Sequence, residues 1–345
     1  MKYFSCYVLE RFHLVFDVTS NIKRLVMCCE SSGKSPGITF CETAEETVKS
    51  FVKEHTNIIQ ESINLASQGK LAADENRLFS SRCAKCPNFR LDNWMGGGGQ
   101  IRHIVMSVYP SPCQCKCIYC YCAALLKVVP DKLYMENFEK ILDIMEYAQK
   151  NDFIAKDAKW EISSGEISIH PCKDRILNLV KNEAALFFTN CFIYDEKIAA
   201  ILGTNPQSAI KLSIDAGTPE TWRKIKGVDN LKTVIDNLAK YSASCVNPEQ
   251  ITLKYIVLPG INDNLEEYGS LIEIMKSLKI KHLDISCDLR TKKSNDKKQR
   301  EPLIQATENL AAMLCRNGMA MKMNWDYYFP NEIQRIENFI YLVKK

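Results

Sequence analysis

The chain has 345 residues, of which 46% are hydrophobic and 25% are charged, as in ordinary globular proteins. This excludes a collagen-like or wholly disordered chain, and at ~150 residues per domain it predicts two domains or one large domain with an appendage. With 45 basic and 41 acidic residues the formal net charge is +4, which excludes a globally basic nucleic-acid binder. No apolar run approaches the ~20 residues of a membrane helix, and Glu10 and Arg11 interrupt the first apolar stretch, so we predict a cytoplasmic protein.

The 16 cysteines are the most unusual feature of the composition. Disulfide scaffolds are usually short and secreted, so this density in a long cytoplasmic chain predicts metal binding or redox chemistry. Two clusters lie before residue 90 and within residues 113–122, and the other cysteines are scattered. Four glycines at residues 96–99 cannot hold regular structure cheaply. They predict a linker over residues 96–102, which follows a first domain over residues 1–95.

The predicted first domain reads as a small α+β unit that is rich in cysteine. Apolar runs at residues 12–16 and 22–27 flank turn-forming residues and indicate a β-hairpin. Thr43 with Glu46 three residues later forms a capping box that would begin a helix. A second helix is predicted over residues 57–66.

From residue 103 onward, short apolar runs alternate with longer amphipathic stretches. The predicted strands are residues 104–108, 160–163, 185–188, 210–214, 251–258 and 282–286. The clearest helical periodicity covers residues 135–149, 231–241 and 265–278. This alternation predicts an α/β domain of parallel strands over residues 103–290, with its chemistry at the C-terminal ends of the strands. Residues 291–345 would form a C-terminal extension.

The sharpest motif is the series Cys113, Cys117 and Cys120, spaced as CxxxCxxC on a loop after the first of these strands. Three thiolates are one short of the set that a 4Fe-4S cluster needs, so one iron would keep an open coordination position. An open position distinguishes a catalytic metal centre from a structural one. The alternative is a zinc site or an unrelated cysteine-rich loop, because Cys115 and Cys122 offer other pairings.

Further motifs follow this loop at the predicted strand ends. They are Tyr119 before the third cysteine, Ser164-Gly165-Glu166, Phe188-Thr189-Asn190, Ser213-Ile214-Asp215 and the segment over residues 255–264. With the cysteines, they make residues 103–290 resemble the radical SAM superfamily, whose GGE motif has Ser164 here in place of its first glycine. The resemblance implies a partial (β/α)6 TIM-like barrel for this part of the chain.

The resemblance also implies that Cys113, Cys117 and Cys120 hold a 4Fe-4S cluster whose open iron binds S-adenosylmethionine (SAM). The residues expected to bind SAM are Tyr119, Ser164, Gly165, Glu166, Asn190, Ser213, Asp215, Lys226 and Val257. Lys226 is expected against the SAM carboxylate, and Val257 with Pro259 against the adenine. An electron donor such as flavodoxin or ferredoxin would drive cleavage of SAM to methionine and a 5′-deoxyadenosyl radical, which abstracts hydrogen from the substrate.

The N-terminal cysteines resemble a second module of that superfamily. Cys6, Cys28 and the CxxC pair Cys83 and Cys86 resemble the ligands of a SPASM or Twitch auxiliary-cluster module, placed here before the radical domain instead of after it. This implies a second 4Fe-4S cluster. Cys29 can replace Cys28, Cys41 is a spare candidate, and a four-sulfur zinc site is the alternative.

The leading interpretation is an enzyme of oxidoreductase type that activates a C–H bond. We see no winged-helix module for a leader peptide, so a small polar or sugar-derived metabolite is the expected substrate, with a peptide or protein as the alternative. A different class is a non-catalytic zinc or nucleic-acid module, supported by residues 290–300, which carry six basic groups and one acid, a net of 6 − 1 = +5. That run lacks interleaved aromatics, so nucleic acid is not an expected partner. A membrane is not expected either, because no apolar run is long enough for a membrane helix. The basic run would instead favour an anionic group on the substrate.

Overall fold

Helices and strands alternate through most of the computed structural model, which describes residues 3–18, 23–28, 36–67, 86, 88–92, 99–107, 113–120, 132–291 and 296–344. The strands are β1 (Tyr3–Cys6), β2 (His13–Val18), β3 (Lys23–Val26), β4 (Gly37–Thr39), β5 (Phe89–Asp92), β6 (Ile101–Ser107), β7 (Ile154–Ser163), β8 (Ala184–Phe188), β9 (Ala209–Ser213), β10 (Ile251–Val257), β11 (His282–Cys287) and β12 (Ala320–Met323). The helices are α1 (Tyr7–Glu10), α2 (Ala44–Ser67), α3 (Lys132–Lys150), α4 (Lys173–Val180), α5 (Glu196–Thr204), α6 (Pro219–Lys226), α7 (Leu231–Ser244), α8 (Leu265–Ser277), α9 (Lys297–Arg316) and α10 (Pro330–Lys344). The six strands predicted between residues 103 and 290 are present as β6 to β11.

The chain divides into two units. The first comprises Met1–Ser107, Pro130–Ser163 and Cys172–Ala185. The second comprises Val108–Val129, Ser164–Pro171 and Leu186–Lys345. The cysteine loop and the strand-end motifs that follow it all belong to the second unit.

The second unit is built on a parallel sheet in the order β8, β9, β10, β11, β12. Alternate residues of these strands are fully buried, including Ile210, Leu212, Leu253 and Leu283, which is the periodicity of a strand with one face in a core. A mixed α/β fold with a parallel sheet confirms the predicted fold class. Because the strands are parallel, their C-terminal ends meet at one edge, and this edge positions the candidate site.

The first unit joins N-terminal strands to the beginning of the α/β region. Strand β6 pairs in parallel with β7 and also with β2, which continues through antiparallel pairs into β3 and β4. The β2–β3 pair confirms the predicted hairpin, and β1 pairs separately with β5. A separate N-terminal cysteine-rich domain is not confirmed, because β2 shares a sheet with β6, which follows the glycines at residues 96–99. The division into domains at residues 96–102 stays a prediction.

Helix α2 is continuous, so the prediction of two helices in this region was wrong. Its capping box is present: the amide of Glu46 donates to Thr43 Oγ1 at 3.1 Å, and the amide of Thr43 donates to Glu46 Oε2 at 3.3 Å. No glycine or proline lies between residues 47 and 57, so nothing in the chain interrupts the helix before its second apolar stretch.

Helix α3 buries the stripe that the sequence predicted. Phe138, Ile141, Leu142 and Met145 recur at helical spacing and are each at most 1% exposed. Burial of each of these side chains stabilises the fold by roughly 1.5–3 kcal/mol, so the stripe fixes α3 in the first unit.

Residues beyond β11 add to the second unit. Strand β12 pairs in parallel with β11, and the buried ion pair of Arg300 with Glu332 joins the first turns of α9 and α10. No helix in the described part of the chain is long and apolar enough to cross a membrane.

Candidate active site

The cysteine loop, residues 113–120, is fastened to the C-terminal end of α6. The amide of Lys116 donates to the carbonyl oxygen of Lys226 at 2.7 Å, and the amide of Ile118 donates to the carbonyl oxygen of Ile225 at 3.0 Å. These carbonyl groups have no partner within their own helix, so the loop satisfies the end of α6. The cysteines are therefore carried on a segment whose backbone position is set by a helix terminus.

Gly227 ends α6 and lies against this loop. Its φ is +71°, and a Cβ atom at this position would lie 2.9 Å from Lys116 Cβ. We expect Gly227→Ala to lower the free energy of unfolding by about 1–2 kcal/mol for the left-handed backbone, and further because the loop must shift. The control is Gly318→Ala, where φ is +65° and no atom lies within 4 Å of the added Cβ. Equal losses for the two variants in urea unfolding would contradict the close packing of the loop on α6.

The thiols of the loop have the chemistry of metal ligands. Hydrogen bonding to the buried thiol of Cys115 lowers the pKa of Cys113. The bond with Cys115 and the charge of Lys226 lower the pKa of Cys117 to about 6, although burial opposes this. A thiolate is the form that binds a metal, so this donor set fits an iron–sulfur cluster. Among the described residues, no three His, Cys, Asp or Glu side chains have the spacing of a formed metal site.

A buried carboxylate organises the turn that follows β7. The turn has φ values of +58° at residue 164 and +113° at residue 165, so serine adopts a left-handed conformation where the family motif has glycine. The fully buried Glu166 carboxylate accepts from the amide and hydroxyl of Ser168, the hydroxyl of Thr189 and the amide of Asn190, at 2.7–3.0 Å. Burial raises the pKa of Glu166, and these hydrogen bonds oppose the shift. Glu166 thus joins its own turn to the residues that follow β8.

Asn190 contacts the first cysteine of the loop. Its Nδ2 atom lies 3.6 Å from Cys113 Sγ and donates to Gln114 Oε1 at 2.9 Å. Its Oδ1 atom accepts from the amide of Phe192 at 3.0 Å, which fixes the orientation of the amide group. The residue predicted to help bind SAM therefore donates to a predicted cluster ligand.

Asp215, Lys226 and Tyr119 form one buried hydrogen-bonded group. The Lys226 ammonium lies 2.5 Å from Asp215 Oδ2, and both side chains are at most 4% exposed. The ammonium also donates to the Tyr119 hydroxyl at 2.6 Å and to the carbonyl oxygen of Ser213 at 2.7 Å, and the hydroxyl donates to Asp215. Burial lowers the pKa of Lys226, but the charges of Asp215 and Cys117 outweigh it and the pKa is raised. Asp215 and Lys226, two of the charged residues predicted to contact SAM, are thus bound to each other.

The backbone around Asp215 is held by residues of β10 and of the segment after it. Asp215 has a φ of +51°, its Oδ1 atom accepts from the amide of Ile256 at 2.7 Å, and its carbonyl oxygen accepts from Asn262 Nδ2 at 2.8 Å. Asn262 also accepts from the amide of Leu258 at 2.8 Å and is fully buried. Asn262 lies in the predicted motif over residues 255–264, but no role could be assigned to it from the sequence. In the structure it joins the ends of β9 and β10.

An apolar surface lies beside the cysteine loop. Ile225, Ile256 and Leu258 form a buried cluster with Tyr119 and Ile261 packed against it. Val257 is also fully buried, but successive residues of a strand point to opposite faces, so it lies on the other side of β10 from Ile256. The expected contact of Val257 with adenine stays a prediction, and Ile256 is the residue of this segment that packs towards Tyr119.

The structure therefore gathers the predicted site residues into two groups of the second unit. One contains Glu166, Asn190 and Cys113, and the other contains Tyr119, Asp215 and Lys226, with Ser213 contributing its carbonyl oxygen. The assignment of these residues to SAM and to the cluster stays a prediction, because their contacts are to one another.

The N-terminal cysteines lie in the first unit. Burial raises the pKa of Cys6 to about 11, with smaller contributions from the thiols of Cys28 and Cys86. Each of these two thiols therefore lies near Cys6. Cys41 is exposed and its thiol contacts Ser50 at 3.8 Å. Cys29 and Cys83 lie outside the described residues.

Comparisons with known proteins bear on the segment that carries these motifs. Residues 111–279 match the family model of the radical SAM superfamily. No curated protein matches the sequence. SuiB of Streptococcus suis bound to its precursor peptide SuiA is 14% identical over 94% of this chain and 72% of that chain, with a TM-score of 0.47. A radical SAM methyltransferase from Sphaerobacter thermophilus is 13% identical over 62% and 63%, with a TM-score of 0.41. HydG, a maturase of the FeFe hydrogenase, is 12% identical over 69% and 54%, with a TM-score of 0.45.

The matched segment begins just before the cysteine loop and ends after α8, so it spans every strand-end motif described above. The family match and the arrangement of these motifs identify residues 111–279 as the domain of a radical SAM enzyme.

Proposed function

We propose that the protein binds a 4Fe-4S cluster through Cys113, Cys117 and Cys120 and uses it to cleave SAM reductively. The observation that carries this proposal is the loop of three thiols, fixed to α6 beside the Asp215–Lys226 pair within the segment that matches the family. A bound cluster supplies the electron that starts the reaction. The product would be a 5′-deoxyadenosyl radical that abstracts hydrogen from a substrate.

The residues of the chain itself hold and shield this site. The Lys226 ammonium places a positive charge beside the thiol of Cys117, which stabilises the thiolate. The side chains of Ile256 and Leu258 with the Tyr119 ring exclude water from this side of the loop. SAM is expected at the strand ends between the two groups of site residues, where the predicted ligands Ser164 and Gly165 would contribute backbone groups and Ser213 its hydroxyl.

The proposed substrate is a small polar or sugar-derived metabolite, and a peptide is the second candidate. The half-buried charged side chains of Lys211 and Asp284 on the inner strands favour a polar molecule. An electron donor such as flavodoxin or ferredoxin is proposed as the partner that reduces the cluster.

The test is to purify the protein without oxygen and to measure iron, acid-labile sulfide and zinc. The reduced protein is then incubated with SAM, and 5′-deoxyadenosine is quantified. At least about four irons per chain with sulfide, and a SAM-dependent product, support the proposal. Zinc without sulfide would instead support a non-catalytic module. Mass spectrometry of incubations with metabolite and peptide mixtures separates the two substrate classes.

Asn190 is expected to tune the cluster. Hydrogen bonds to cysteine sulfur raise the reduction potential of an iron–sulfur cluster, so Asn190→Leu should lower the potential of the SAM-binding cluster. An EPR-monitored redox titration measures this directly. The control is Asn237→Leu, because Asn237 donates to the carbonyl oxygens of Cys191 and Phe192 and to no cysteine sulfur among the described residues. Equal potentials for the two variants would exclude a hydrogen bond from Asn190 to a cluster ligand.

We also propose that Cys6, Cys28, Cys83 and Cys86 bind a second 4Fe-4S cluster. Cys28 and Cys86 each lie near enough to Cys6 to raise the pKa of its thiol, which supports the proposal. A variant that lacks the three loop cysteines should then retain about four irons, and further replacement of Cys83 and Cys86 should release them. One zinc and no sulfide in the loop variant would contradict the auxiliary cluster and indicate a zinc site.

A further inference from the structure

One face of the sheet in the second unit carries polar side chains beside the C-terminal end of β9. The strand register places Lys254 of β10 directly beside Ser213 of β9 and Asp284 of β11. The residue before each of them is a buried leucine: Leu212, Leu253 and Leu283. Since side chains alternate along a strand, Ser213, Lys254 and Asp284 share the opposite face.

The carboxylates on or next to this face already have their own cations. Asp284 is paired with Lys211 at 2.6 Å and also contacts the ring of His282 at 3.0 Å. Asp215 is paired with Lys226 at 2.5 Å. The Lys211–Asp284 pair connects β9 to β11 across β10, so it spans the strand that carries Lys254.

Lys254, unlike Lys211 and Lys226, is not paired with a carboxylate among the described residues. It is half-buried, and within the described residues its ammonium has no hydrogen-bond or ion-pair partner. Burial, then the charge of Lys211, lowers its pKa, although Asp215 and Asp284 act in the opposite direction. A partly buried charge without a partner is costly, and such groups concentrate at binding sites.

The position of Lys254 relates it to the candidate active site. Neighbouring strands lie ~4.8 Å apart, so Lys254 is one strand spacing from Ser213. The carbonyl oxygen of Ser213 accepts from Lys226, the cation that also lies beside Cys117. An anion held by Lys254 would therefore lie next to the group that adjoins the cysteine loop.

We propose that Lys254 binds an anionic group, a carboxylate or a phosphate, of the enzyme's substrate. This deepens the proposed function, on which it rests, by restricting the polar metabolite to an anionic one. The charges that border the predicted basic run do not offer the same site, because Arg290 is paired with Asp288 and Arg300 with Glu332. Lys254 thus acts as a specificity residue that selects and orients the substrate.

The first test measures the accessibility of individual lysine amines in the wild-type protein. Lysines are labelled briefly with acetic anhydride at constant ionic strength, with inorganic phosphate, acetate or chloride added, and the labelled residues are identified by mass spectrometry. Labelling of Lys254 should fall about ten-fold when phosphate or acetate is present at ten times its dissociation constant. Lys322, an exposed lysine on β12 beside Asp284, serves as the internal control and should not change.

Further arms identify the source of the anionic group. Protection of Lys254 by SAM but not by decarboxylated SAM would assign it to the carboxylate of SAM and overturn the proposal. Lack of saturable protection by either phosphate or acetate would also overturn it. The labelling needs neither iron nor turnover, so failure of the proposed function would show separately, as the absence of 5′-deoxyadenosine from the wild-type reaction.

A second measurement uses variants. Phosphate should raise the melting temperature of the wild-type protein, Lys322→Met and Lys254→Arg, which all keep a cation at residue 254, and should raise that of Lys254→Met less. An equal phosphate response in Lys254→Met and Lys322→Met would overturn the assignment.

Discussion

Replacement of Cys113, Cys117 and Cys120 together with alanine is expected to reduce 5′-deoxyadenosine formation to the level of a reaction without protein. The three thiols are the ligands proposed for the SAM-binding cluster, and removal of all three leaves no set of donors on the loop that holds four irons. The iron content should fall by about four atoms per chain. Anaerobic reconstitution, iron and sulfide analysis, and product quantification after reduction provide the measurements.

The matched control replaces three other cysteines, Cys172, Cys245 and Cys315, which are also half-buried. This variant should keep both its iron and its rate of SAM cleavage, because these thiols lie outside the loop. Wild-type 5′-deoxyadenosine formation by the loop variant would refute the mechanism. Loss of activity in both variants would point to general damage from cysteine removal instead of a specific cluster.

The strands were predictable because their periodicity is local. Runs such as residues 210–214 alternate or stay apolar over the length of a strand, and the structure has β9 at Ala209–Ser213. The parallel arrangement followed from the intervening helices, since a strand–helix–strand unit returns in the same direction. The pairing of β2 with β6 was not predictable, because the two strands are far apart in sequence and no local pattern specifies which strands will pair.

The internal contacts of the candidate site were not predictable from the sequence. Asp215 and Lys226 each carry a charge suited to SAM, and sequence motifs assign both to it. In the structure they neutralise each other, because a buried charge is most cheaply compensated by the nearest opposite charge. The sequence also did not show which face of β10 is turned towards the cysteine loop. Side chains alternate along a strand, so a shift of one residue places Ile256 on that side instead of Val257.

Lys254 could not be identified as a candidate binding residue from sequence motifs. It lies before the predicted fifth-strand motif, and as a single lysine in an apolar strand it carries no signal of its own. Its significance depends on what stands beside it, because the pairing of Lys211 with Asp284 is what leaves Lys254 without a partner. Only the strand register supplies that information.

Removal of one member of the Asp215–Lys226 pair is expected to lower the free energy of unfolding by about 3–5 kcal/mol. Asp215→Asn keeps the shape of the side chain, and asparagine also tolerates the φ of +51°, so the loss reports on the charge and not on the backbone. It would leave the Lys226 ammonium buried without its counter-charge. Lys226→Met leaves the carboxylate buried in the same way, and urea unfolding measures both.

The double variant Asp215→Asn with Lys226→Met should lose less than the sum of the single variants, because it leaves neither charge buried and unpaired. Lys232→Met is the matched control: Lys232 and Asp236 lie 2.6 Å apart, but their side chains are 87% and 53% exposed. Exposed pairs contribute at most about 1 kcal/mol, so this variant should be close to wild type. Additive losses in the double variant, or a loss in Asp215→Asn no larger than that in Lys232→Met, would contradict the ion pair as the link between the strand ends and the cysteine loop.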